Sequence, residues 1–153
     1  AVDIQALVNK SFYPNPRRTT TGISLNRVHQ ILAVLEKNLK IQLSSYDCYL
    51  ATAGGFEIHD PSSDLAIAIS IVSSLKNQIP LRNCAFIGEL GLNGQVRETN
   101  SIKSKIDESI RLGFEKIIVP YPKNYKFNKV QNISLITVKN IQEAINLSLI
   151  IDN

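Results

Sequence analysis

Ser62 follows Pro61 at the head of the apolar run in "IHDPSSDLAIAIS", a setting in which a serine can act as a nucleophile. A serine hydroxyl attacks poorly at neutral pH unless a neighbouring base takes its proton, and a lysine serves when burial favours its neutral amine. Lys103 and Lys105 are the candidate bases, flanking the Ile102/Ile106/Ile110 stripe on opposite sides. Periodicity does not choose between them. A helix opened by Pro61 adds unpaired backbone N–H groups near Ser62, donors suited to an oxyanion. In the ordinary reading of the same residues, Ser62 and Ser63 bond first-turn amides and both lysines face water.

Other chemistries find less support. His29 lies inside a helical pattern, and His59 stands three residues before Ser62, where a Ser-His-Asp triad could be assembled only in three dimensions. No His/Cys/Asp/Glu cluster has metal-ligand spacing. There is no G-x-x-x-x-G-K-[ST] loop and no G-x-G-x-x-G fingerprint; "GELGLNG" is glycine-rich but sits in a hairpin pattern and opens no helix. Cys48 and Cys84 are far apart and read as reduced, buried thiols.

The elements that must position Ser62 follow from hydrophobic period. "AVDIQALVNK" alternates and reads as a strand, and "SFYPNPRRTTTG" as a loop. "SLNRVHQILAVLEKNLK" places Leu25, Val28, Ile31, Leu32, Leu35 and Leu39 on one helical face behind a Ser24 N-cap. "YDCYLATAGG", continued by "FEIH", reads as a strand. The helix opened by Asp60-Pro61 is apolar nearly all round, which predicts a central position. "NCAFIGEL" and "GQVRE" read as two strands joined through "GLNG". "NSIKSKIDESIRLG" is an amphipathic helix stopped by Gly113, "FEKIIVP" a buried strand, "YPKNYKFNKVQN" a loop, "ISLITV" a strand and "NIQEAINLSLII" a closing helix. The hairpin keeps the sheet from being purely parallel, so the class is α+β or α/β, in one domain over 1–153.

The chain has 153 residues, 44% hydrophobic and 20% charged, enough for one globular core. No apolar run reaches the roughly 18 residues of a membrane span, and no signal-peptide pattern is present. The start on Ala1 rather than Met leads to the expectation of a fragment of something longer. Of the net charge of +4, most falls in residues 1–50, where Lys10, Arg17, Arg18, Arg27, Lys37 and Lys40 face only Asp3, Glu36 and Asp47. That bias permits a polyanion partner without demanding one.

Taken together, "NPRRTTTGISLNRVHQILAVLEKNLKI", "DPSSDLAIAISIVSSL", "FIGELGLNGQVRE" and "RLGFEKIIVP" resemble the C-terminal Lon-protease-like domain of the RadA (Sms) family of bacterial DNA repair proteins. The resemblance covers essentially the whole chain. It implies an α+β fold of the Lon proteolytic-domain type, shared with the second domain of ribosomal protein S5. Laid on Lon without gaps, the nucleophile position falls on Ser62 and the lysine position on Lys105. The surroundings depart from Lon. Asp64 replaces a small glycine, and its carboxylate is expected to favour the charged ammonium of Lys105, which is no base. Ile87 replaces a threonine that orients the lysine, and Asn100-Ser101 replace paired glycines. Ser62 and Lys105 are accordingly read as vestigial dyad positions.

What the resemblance implies about function is a DNA-binding, ring-forming platform, without peptidase activity, of an ATP-driven motor that processes branched DNA in recombination and repair. DNA would be bound without sequence preference by Arg17, Arg18 and Arg27, extended by Lys37 and Lys40, because arginine's fork of donors suits phosphate. A hexameric ring, contacts with recombination proteins and a cytoplasmic bacterial setting (or an organellar one) are implied too. This segment itself calls for no cofactor or metal; ATP, Mg and Zn belong to N-terminal parts of the full-length protein. Two other functions compete: a Lon-type Ser62–Lys105 peptidase, and a purely structural oligomerisation domain. The aromatic and basic "YPKNYKFNK" is a second nucleic-acid candidate, against a reading in which its aromatics pack inward.

Overall fold

A computed structural model describes residues 3–127, 129 and 132–150. Residues 1–2 of the expected first strand, 151 of the closing helix, and 128, 130 and 131 of the loop lie outside the described residues. The chain runs β1 (Ile4–Lys10), β2 (Arg18–Thr21), α1 (Leu25–Leu39), β3 (Tyr46–Thr52), a 3-10 turn (Pro61–Ser63), α2 (Asp64–Lys76), β4 (Ile79–Pro80), β5 (Cys84–Phe86), β6 (Glu89–Leu90), β7 (Val96–Arg97), α3 (Ile102–Arg111), β8 (Lys116–Pro120), β9 (Ser134–Val138), α4 (Ile141–Ser148) and β10 (Leu149–Ile150). Among the described residues it is a mixed α/β architecture with four α-helices and a parallel sheet.

One sheet has the order β1-β3-β2, antiparallel between β1 and β3 and parallel between β2 and β3. The second, β5-β8-β9, is parallel throughout, and β8 at its centre is buried on both faces from Ile117 to Pro120. β6 and β7 form the expected hairpin, with Glu89 opposite Arg97 and Leu90 opposite Val96. β4 pairs with β10 antiparallel.

The central helix is where its all-round apolar pattern places it. Leu65, Ile67, Ala68, Ile71 and Val72 of α2 are fully shut off from solvent, packed with Leu35 of α1, Ile141 and Ala144 of α4, and Val8 and Leu50 of the first sheet. Each such aliphatic side chain contributes about 1.5–3 kcal/mol relative to an exposed one. Even Ser74 of α2 is used: its hydroxyl accepts the Val8 N–H of β1 at 2.9 Å, closing part of that sheet edge. A smaller cluster joins Ile102 and Ile106 of α3 to Ile117 and Val119 of β8, with Ile87 and Tyr125. This is the stripe that flanked the candidate lysines.

Four local expectations change. The strand expected to run on through "FEIH" ends at Thr52 and gives way to a 3-10 turn over Ala53–Gly55. Arg18–Thr21 was expected as loop and is a strand, because three successive β-branched threonines pair with β3 from Cys48 to Ala51. The run 84–90 is two strands rather than one: Ile87 still bonds the Ile118 carbonyl of β8, but Gly88 turns to the start of α2, its N–H reaching the Ser62 carbonyl at 2.8 Å and its own carbonyl accepting from Leu65 N–H at 3.0 Å. The closing helix ends at Ser148, and the chain leaves it extended to pair with β4.

Candidate functional site

Ser62 sits in the 3-10 turn that opens α2, and its side chain is buried. Asp60 is the cap of this turn: its Oδ1 accepts the Ser62 backbone N–H at 2.9 Å. The Ser62 side chain also helps to hold the Asp60 carboxyl down. From the other side, Ser101 at the head of α3 donates its hydroxyl to Asp60 Oδ2 at 2.9 Å, and Lys105 Nζ lies 3.7 Å from the same oxygen. Lys105 also lies 3.8 Å from Glu108 Oε2, one turn along α3. The proposed nucleophile and base are therefore brought to one place, with a carboxylate between them.

Burial pushes the Asp60 carboxyl up, but the Ser62 amide and hydroxyl, the Ser101 hydroxyl and the Lys105 charge together hold it below the ordinary carboxylate range. Asp60 thus contributes stability above the ordinary carboxylate value, lost as pH falls through its depressed folded value. We expect Asp60→Ala to cost about 1–2 kcal/mol at neutral pH, as N-cap removals do. In urea unfolding the gap to the native chain should begin to narrow below about pH 4, the ordinary carboxylate value, and close once pH has fallen through the lower folded value. A gap that persists there would show that the charge is not what Asp60 supplies.

Asp64 does not face Lys105, and the expectation that its charge disarms that lysine is corrected. Its Oδ1 is bonded by Arg27 Nε and its Oδ2 accepts the Leu90 N–H at 3.0 Å, so it closes the opposite side of α2. Helical geometry is the cause: residues 60 and 64 flank the first turn, one outside and one inside it. Burial raises the Asp64 carboxyl, assisted by the charge of Glu89 and opposed by Arg27 and the Leu90 amide, and the net direction is upward. Asp60, not Asp64, is the acid that meets the dyad positions. The motif Asp-Pro-Ser-Ser carried that signal, since an Asp before a Pro at the first helical position is an N-cap.

Ser62, Asp60, Lys105, Ile87 and Cys84 line a cleft of about 700 Å³ between α2, α3 and β5. Where the Lon pattern has a threonine, Ile87 presents only carbon, its N–H being taken by the Ile118 carbonyl at 2.9 Å. Both cysteines are free and buried; burial pushes each thiol up to about 11, so Cys84 offers no thiolate to the cleft at neutral pH.

The candidate DNA contacts divide in two. Arg18 donates its guanidinium to the Leu43 carbonyl at 2.9 Å and to that of Tyr46, tying β2 to the turn before β3. Arg27 is taken by Asp64. Arg17, Lys37 and Lys40 are exposed. The Arg17 guanidinium rests 4.6 Å over the Tyr13 ring, and its backbone N–H is anchored by Asp47 Oδ1 at 2.7 Å. Among the described residues no three His, Cys, Asp or Glu side chains gather as a metal site, and no helix is long and apolar enough to cross a membrane.

Residues 18–123 match the model of the family described as subunit ChlI of Mg-chelatase. The chain belongs to the ChlI family. Over 148 residues this ChlI-family chain is 43% identical to the DNA repair protein RadA of Bacillus subtilis, across 97% of its own length and 32% of the relative's. It is 42% identical to the protein of the same name from Synechocystis, over 97% of this chain and 29% of the other. With that of Streptococcus pneumoniae it shares 41% identity over 94% of this chain and 34% of the other. The likeness to RadA-type proteins read from the sequence is borne out. The chain spans about a third of the length of these curated relatives.

Proposed function

We propose that this chain is the DNA-binding and ring-forming platform of a RadA-like, ATP-dependent DNA repair protein, a single domain of the Lon proteolytic type that no longer cleaves peptides. The observation that carries the repair assignment is the likeness along 97% of the chain to proteins named DNA repair protein RadA. The loss of proteolysis is supported by Asp60. Its carboxylate stands at the Ser62 amide and 3.7 Å from Lys105 Nζ, and an ammonium engaged with a carboxylate has no lone pair to accept a proton. ATP, Mg and Zn are proposed for the full-length protein and not for this segment. Those groups belong, in this reading, to the remaining two thirds of a longer protein.

Arg17, Lys37 and Lys40 are the phosphate contacts of this proposal, Arg18 and Arg27 being internal ties. The test is duplex binding by the chain across a salt series, beside light-scattering mass and a casein cleavage assay. Arg17→Ala/Lys37→Ala/Lys40→Ala should weaken duplex binding about tenfold and make the salt dependence shallower by about two to three counterions. Binding unchanged in that variant, or insensitive to salt, overturns the DNA role and leaves a structural oligomerisation domain. Casein should survive intact. Cleavage abolished by Ser62→Ala and by Lys105→Ala would restore the peptidase reading, which the shared cleft of the two residues favours.

A further inference from the structure

We propose that the segment after β8, together with the residue after β9, forms a second nucleic-acid surface that takes single strands by stacking their bases. This goes beyond the Arg17 patch, although it rests on the same reading that the chain meets nucleic acid. β8 and β9 are neighbouring parallel strands, so both release the chain at the same end of the sheet. Tyr121 follows β8 and Lys139 follows β9, and the lysine ammonium lies 5.0 Å from the Tyr121 ring. Tyr121 remains 53% exposed and Phe127 37% exposed, whereas Tyr125 between them is buried with its hydroxyl bonded to the Pro120 carbonyl. The inward-packing reading therefore holds for Tyr125 and fails for the other two.

The segment is held in shape rather than trailing. Glu98 accepts the Lys123 N–H at 3.0 Å and the Asn124 N–H at 2.9 Å, which fixes the turn and directs this acid to the backbone. The Phe127 ring leans on the buried Tyr125 ring with centroids 6.0 Å apart, tilted by 35°. Around the two open rings, Lys123, Lys126 and Lys139 are all exposed. Open rings interleaved with ammonium groups match the two parts of a single-stranded nucleic acid, its base faces and its phosphates. A duplex hides its base faces within the stack and leaves the rings nothing to bind. A polyanion without bases, such as polyphosphate, satisfies the lysines alone.

Because the chain has no tryptophan, its emission comes from five tyrosines, and the part that Tyr121 contributes is read by difference from the aromatic variant. The experiment measures binding of the 153-residue chain to oligo(dT), to a duplex of equal length and to polyphosphate, by anisotropy and by tyrosine quenching. Tyr121→Leu/Phe127→Leu keeps the apolar bulk and the charge. It should lower oligo(dT) affinity about tenfold or more, since a lost stacking contact is worth about 1–3 kcal/mol. Duplex and polyphosphate affinity should be unchanged, and most of the quenching lost. Lys123→Gln/Lys126→Gln should weaken oligo(dT) and polyphosphate alike. Oligo(dT) affinity and quenching that survive the aromatic double variant overturn this surface, whatever the duplex result. Equal losses for duplex and single strand in that variant overturn the strand preference. Duplex binding lost only in the Arg17/Lys37/Lys40 variant separates failure here from failure of the first patch.

Discussion

Replacing Arg27 by alanine is expected to lower the unfolding free energy by about 2–3 kcal/mol at neutral pH, and by clearly less near pH 4. Its partner Asp64 is 5% exposed in its side chain and has two fixed donors, Arg27 Nε and the Leu90 N–H. Removing the guanidinium leaves a buried carboxylate with one amide, and single-partner removals from buried pairs cost about 3–5 kcal/mol. The Arg27 side chain is 29% exposed, so water screens part of the pair and the lower range applies.

The pH dependence follows from the Asp64 carboxyl, which burial raises in the folded chain against the opposing pull of Arg27. A raised folded value means that its contribution to stability is full below the ordinary carboxylate value and lost as pH rises through the folded one. Without Arg27 the opposing pull disappears and the carboxyl rises further. Proton uptake then relieves the variant more than the native chain as pH falls. Urea unfolding of the native chain, Arg27→Ala and Arg27→Lys at pH 4 and 7 checks this. The lysine variant should recover only part of the loss, because an ammonium does not reproduce the planar donor. A deficit equal at both pH values would show that Arg27 acts through packing and not through Asp64.

The same pair shows where sequence reading reaches and where it stops. The α2 helix was legible because a residue set without a polar face has one place to go, and Pro61 marked its start. β8 was legible for the same reason. The strand at Arg18–Thr21 was not, since flanking prolines and glycine are turn signals and the pairing that makes it a strand comes from residues 48–51. In the candidate site, Ser62 and Lys105 could be named from their motifs, but neither motif says which acid stands between them. Asp60 and Asp64 are four residues apart with the same chemistry. Only the turn that separates them sends one to α3 and the other to α1. Charge counting likewise grouped five cations of residues 1–50 as one phosphate-binding set, whereas internal acceptors take Arg18 and Arg27. Carbonyls left over at the ends of elements leave no mark in a sequence.

A second large effect is expected at Gly22, the hinge between β2 and α1. Its φ of +81° is in the left-handed region, and a Cβ there would fall 2.2 Å from Thr52 Oγ1 and 2.5 Å from the Phe56 carbonyl oxygen. The approach is close because Gly22 closes the segment leading to the site: its carbonyl accepts the Ile58 N–H at 2.8 Å, and Thr52 Oγ1 donates to the Phe56 carbonyl at 2.5 Å. Gly22→Ala combines a left-handed backbone penalty of about 1–2 kcal/mol with an overlap costing about 1–3 kcal/mol, for a total near 3 kcal/mol. In a chain of this size that lowers Tm by roughly 6–12 °C. One of the overlapped atoms is backbone, so trimming the other does not remove the strain. Adding Thr52→Ala should recover less than half of the loss, and it also deletes the Thr52–Phe56 hydrogen bond. Full recovery in the double variant would place the whole cost on the Thr52 side chain. Because Asp60 lies two residues beyond Ile58, loosening this bridge should reach the cap of α2 as well. Amide exchange at Ser62, whose N–H is held by Asp60 Oδ1, should then accelerate in Gly22→Ala beyond the change expected from global stability alone.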